Sequence, residues 1–116
     1  MNPMKPRRAF TLIEILVVIS IVAIILAIAM PNFMKARETA EIKQCLDNLR
    51  TIDSAKEQWA IENNASPGST PPAMSQLIGS TSFIKSSPLC PMGGTYSVGT
   101  ITGSPTCSIG GAHTLP

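Results

Sequence analysis

Glycine is missing from the first half of this 116-residue chain: all eight glycines lie at Gly68 or later. A backbone without glycine from Met1 to Ser66 favours one long helix, from about Phe10 to Asn63. Carboxylates are missing from the other half, where Glu62 is the last Asp or Glu. Calcium prefers several hard oxygen ligands, so that half offers it no carboxylate. The one histidine, His113, sits three residues from the C-terminus with no third group to orient a Cys–His nucleophilic pair. No basic face interleaved with aromatics marks a nucleic-acid site. The chain is therefore read as a non-enzyme with no cofactor.

The outstanding feature present is the apolar run Phe10–Met30, 21 residues that follow Lys5, Arg7 and Arg8. As a helix it reaches roughly 31 Å, enough for a bilayer's hydrocarbon core. One carboxylate, Glu14, lies inside it and costs about 2.5–3.5 kcal/mol on insertion scales. No base within the run pairs with it, so its partner is expected from outside this helix. Two other readings of the leader exist. Ala27-Ile28-Ala29 fits a signal-peptidase site, which would release a secreted small binding module after Ala29. Arg7-Arg8 faintly resembles a twin-arginine signal. The run is longer than an ordinary signal core, holds Glu14 and flows into another helical pattern, all of which favour an anchor. The basic leader then stays cytoplasmic and everything after Pro31 faces outward.

Phe10-Thr11-Leu12-Ile13-Glu14, behind a short basic leader, resembles the N-terminus of type IV pilin-like proteins and type II secretion pseudopilins. Ala29-Met30-Pro31-Asn32-Phe33 looks like the helix exit of that family. The resemblance implies cleavage between Ala9 and Phe10 by a prepilin peptidase, then N-methylation of Phe10. The family usually has glycine before the cut; Ala9 is also small, so cleavage is expected to survive at a lower rate. A freed ammonium at Phe10 can meet Glu14 of a staggered neighbour, which makes Glu14 the register-setting residue of assembly. The alternative is that Glu14 lies at the headgroups and reaches water alone. The partners implied are sibling subunits, the peptidase/N-methyltransferase, and an assembly platform with its ATPase. Localisation follows: a single-pass inner-membrane protein with a periplasmic head, later extracted into a filament. Major pseudopilins commonly hold calcium in the C-terminal region, and this chain departs from them by lacking the carboxylates.

The expected organisation is a leader over 1–9, a long helix over 10–64 and a small loop-rich β head over 65–116. The helix is transmembrane over 10–30 and amphipathic over 31–64, with a kink at Pro31, which lacks an N–H. Its apolar stripe is Phe33, Ile42, Cys45, Leu46, Leu49, Ile52 and Trp59. Arg37–Glu41, Lys43–Asp47 and Asp47–Arg50 are spaced as ion pairs. Ser66 to Pro72 reads as a loop and Ala73–Ile78 as a short helix stopped by Gly79. Phe83 and Ile84 are docking residues for the stripe. Thr95–Val98, Thr100–Thr102 and Pro105–Ile109 read as short strands. The fold class is α+β, a long kinked helix packed against a small antiparallel β head. That head is too small to be stable without docking or a staple.

The staple expected is a disulfide between Cys90 and Cys107, since the outward side of the membrane is oxidising. It would close a loop worth about 3 kcal/mol in the chain-entropy model. Cys45 is then a buried thiol on the stripe, and a bridge using Cys45 is the alternative pairing. A metal site is the sharper alternative, with Cys90-Pro91-Met92-Gly93-Gly94 as half a zinc knuckle and Cys107, His113 and Cys45 as further ligands. The knuckle's second cysteine is missing, so no metal is expected. Removing Lys5, Arg7 and Arg8 leaves 6 basic and 7 acidic side chains, a nearly neutral mature protein.

Overall fold

The computed structural model describes residues 1–116. Helix α1 runs without interruption over Leu12–Glu62, followed by a one-turn helix α2 at Met74–Leu77. Strands β1 (Tyr96–Ser97) and β2 (Thr106–Cys107) form an antiparallel pair, and a 3₁₀ turn covers Gly111–His113. The α+β class is borne out. The chain divides into two compact units, Met1–Ala36 and Arg37–Pro116.

In the first unit the backbone up to Phe10 is irregular and exposed. Thr11 opens the helix: its carbonyl accepts the Ile15 N–H, and its Oγ1 accepts the Glu14 N–H, both at 3.4 Å. Such a hydroxyl satisfies a donor that the helix start leaves orphaned. Pro31 lies within α1. The apolar side chains from Phe10 to Met34 are all exposed within the chain; Ile24 keeps 62% of its surface and Ile28 66%. By length and composition this is a helix able to cross a membrane. So much unburied apolar surface in one contiguous segment requires lipid or other protein around it.

In the second unit the stripe of α1 is covered. Cys45, Leu49, Ile52, Ala55 and Lys56 are buried, which places a lysine on the same face as the apolar residues. Phe33, by contrast, is 66% exposed and belongs to the first unit, so the covered stripe begins further along the helix. One cluster joins Ile52 and Ala55 to Leu77, Ile84 and Val98, flanked by Trp59, Met74, Ile78, Phe83 and Tyr96. A second joins Cys45 and Leu49 to Cys90 and Cys107, flanked by Leu46, Tyr96 and Leu115. Tyr96 belongs to both. Arg37–Glu41 and Asp47–Arg50 pair at 3.0 Å as the spacing suggests. Asp47 engages Arg50 in place of the expected Lys43.

The strands are shorter than expected, and one expectation is corrected. Thr100–Thr102 forms no strand; Gly103 N–H bonds back to the Thr100 carbonyl and hydroxyl, so this stretch is a turn. β1 instead pairs with Thr106–Cys107 in the register Tyr96↔Cys107, Ser97↔Thr106. Lys56 explains the choice. Its ammonium reaches out of α1 to donate to the carbonyls of Val98 and Gly103, holding both ends of the intervening loop on the helix. Gly99, at φ +72° and with the Ser104 carbonyl 3.0 Å from where a Cβ would stand, supplies the tight turn beneath.

Candidate functional site

Two places gather candidate functional side chains. At the first, Ala9 and Phe10 lie in exposed irregular backbone, so the bond between them is open to a peptidase. Arg8, Ala9, Phe10 and Glu14 border one open concavity, and Glu14 stands in the first turn of α1. An acid there lies at the positive end of the helix dipole.

The N-terminal residues 4–30 match a family model described as the prokaryotic N-terminal methylation motif. The chain thus carries a prepilin-type N-terminal motif. It is 25% identical to the type II secretion system core protein G of Escherichia coli K12 over 107 residues, covering 83% of this chain and 74% of that protein. It is 33% identical to the core protein G of Pectobacterium carotovorum over 61 residues, covering 53% of this chain but 39% of the relative. It is 37% identical to the type IV wide pilus major component PilA4 of Thermus thermophilus over 62 residues, 53% of this chain and 47% of the relative. The matched part of the chain spans well under two thirds of the length of several curated relatives. No solved structure matches it.

The second place lies in the head. The Sγ atoms of Cys45, Cys90 and Cys107 and a ring nitrogen of His113 all fall within 4.8 Å of one another, and all four residues are buried. Cys107 Sγ is 3.9 Å from Cys90 Sγ, and Cys90 Sγ is 4.0 Å from His113 Nδ1. The three cysteines are free thiols. The disulfide expectation left Cys45 as a packing thiol on the stripe and His113 unused, while the metal alternative counted both among its ligands. The fold brings both to the pair expected to bridge.

The local backbone shows how. Cys90 opens a turn in which the Gly93 N–H bonds the Cys90 carbonyl, with Gly93 at φ +81°. Cys107 opens the same turn, the Gly110 N–H bonding the Cys107 carbonyl with Gly110 at φ +68°. The two segments Cys90-Pro-Met-Gly-Gly-Thr-Tyr96 and Cys107-Ser-Ile-Gly-Gly-Ala-His113 are one pattern written twice. That repeat is the signal in the sequence that reading for disulfides passes over. After the second copy, the Thr106↔Thr114 bridge turns the chain end back so that His113 points inward.

The surroundings are polar in a directed way. Tyr96 packs against the cysteines, and Asn48 Nδ2 donates to its hydroxyl at 3.0 Å and to the Leu89 carbonyl at 2.9 Å. Burial pushes the Cys45 thiol up to about 11, and likewise raises the Tyr96 phenol. Burial opposes ionisation of Cys90 too, but backbone amides of Met92 and Gly94 donate to its sulfur and bring it below the usual thiol value.

Proposed function

We propose that this protein is a membrane-anchored structural subunit of a filament of the type IV pilus or type II secretion kind. The observation that carries the reading is Glu14, a lone acid in an uncovered apolar helix behind a prepilin-type leader. A simple anchor gains nothing from a buried charge, whereas an assembling helix uses it to select one stagger. Residues 1–9 are a leader removed by a prepilin peptidase, and Phe10 is then N-methylated, which keeps its positive charge. The ammonium of one subunit neutralises Glu14 of the next. Burial of the exposed apolar segments against each other supplies the assembly energy, and Pro31 bends the helix where it leaves the bilayer. The head faces the periplasm, and an assembly platform and ATPase extract the subunit. The protein has no enzymatic role in this reading.

The test has two parts. The mature N-terminus, read by mass spectrometry, is expected to be methylated Phe10; a start at Met30 would point to a secreted module. Glu14→Ala is expected to insert and be cleaved normally yet to yield few filaments. Wild-type filament yield at equal expression would reduce Glu14 to an interfacial residue.

A further inference from the structure

We propose that Cys45, Cys90, Cys107 and His113 form a closed tetrahedral Cys₃His site for a structural zinc ion. The inference is independent of the filament reading. Four donors of the right softness converge from α1, two equivalent turns and the chain end, and none of the four is solvent-exposed. Zinc with Zn–S near 2.3 Å and Zn–N near 2.0 Å sets neighbouring donors about 3.6–3.8 Å apart in a tetrahedron. The 3.9 Å and 4.0 Å separations here are close to those edges. A disulfide would require sulfurs about 2.05 Å apart and would account for only two of the four groups.

Three further observations fit zinc better than a bridge. Each of the two Cys-x-x-Gly-Gly turns closes on its cysteine carbonyl with a glycine at positive φ, so both sulfurs are presented by the same backbone geometry. Gly94 lies so close to Cys107 that a Cβ there would stand 2.6 Å from the sulfur, so the sulfur is confined against the backbone. Tyr96, its hydroxyl held by Asn48, packs against the cysteine cluster and fixes the walls around the four donors. Binding converts three thiols to thiolates and releases up to three protons. The cluster then carries one net negative charge, spread over the three sulfurs.

Full-length protein, purified in detergent under a phosphine reductant, is the material for the test. Elemental analysis is expected to find about one zinc per chain, removable only by strong chelator. Adding cobalt(II) to the stripped protein should produce intense visible d–d bands and a near-ultraviolet thiolate charge-transfer band, the signature of tetrahedral thiolate ligation. His113→Ala and Cys45→Ser should each abolish the one-to-one zinc or change that spectrum. Tyr96→Phe retains the ring and all four ligands, so it should keep both the stoichiometry and the cobalt spectrum. If the ligand variants do not fold, the cobalt spectrum and competition on the wild-type chain still decide. Wild-type protein without stoichiometric zinc and without the cobalt bands overturns the proposal. So does a Cys90–Cys107 disulfide found by mass spectrometry as the resident form in membranes. Full zinc retention with an unchanged spectrum in His113→Ala would overturn the four-ligand set.

Discussion

Lys56→Met tests how the head is held to the helix. Lys56 is only 1% exposed, yet its ammonium has three partners: the Val98 carbonyl at 3.4 Å, the Gly103 carbonyl, and Asp53 Oδ1 at 3.2 Å. Methionine matches much of the aliphatic stem, so little packing is lost and the change removes the charge and its bonds. A hydrogen bond from a charged donor contributes about 1.5–3 kcal/mol, and an orphaned buried carbonyl costs about 1–3 kcal/mol. The long Val98 contact adds little. The Asp53 carboxylate is 36% exposed and can rehydrate, so that ion pair contributes at most about 1 kcal/mol. Against these losses, the mutant no longer has to desolvate an ammonium. A net destabilisation of about 2–3 kcal/mol follows. The single tryptophan, Trp59, packs on the adjacent cluster and reports the transition by fluorescence in a urea titration of zinc-saturated full-length protein. With an m-value of about 1 kcal/mol/M, the midpoint should fall by roughly 2–3 M. Asp53→Asn is the control and should cost under about 1 kcal/mol. A Lys56→Met change below about 0.5 kcal/mol, or an equal loss in Asp53→Asn, would refute the idea that Lys56 acts by clasping the 98–103 loop.

Other expectations concern packing and processing. Leu77 is fully buried between α1 and Ile84, so Leu77→Ala should cost about 2–5 kcal/mol in the same titration, and a loss below 1 would mean the site collapses freely. Gly94→Ala would set a methyl 2.6 Å from Cys107 Sγ and 3.0 Å from Ile109, so it should destabilise by about 1–3 kcal/mol and make Cys107 more reactive to an alkylating reagent. Unchanged thiol reactivity would show that the turn relaxes away. Ala9→Gly restores the residue usual before a prepilin cut and should speed leader removal in a pulse-chase, with the mature mass unchanged. Equal rates would show that Ala9 does not limit cleavage.

Much of this protein is legible without coordinates because it is local. The apolar run, its lone acid and the basic leader are properties of consecutive residues, and α1 follows from the absence of glycine before Gly68. The stripe was readable where its members were apolar. Lys56 sits one helical turn after Ile52 on the same face, but its burial depends on carbonyls 42 and 47 residues away, which no periodicity reveals. The same reason accounts for the strand that did not form at Thr100–Thr102: β-propensity there yielded to a loop drawn onto a buried ammonium. Three cysteines and a histidine were visible as candidates, and spacing alone favoured a bridge between the two nearest partners. Only the fold shows that Cys45, one turn before Leu49 on α1, faces both, and that the Thr106–Thr114 bridge brings His113 in beside them. Pattern along the chain settles what lies on one helix or in one turn. Which side chains from separate segments meet in a buried space depends on packing, because burial makes an unpaired polar group costly and so selects the partners.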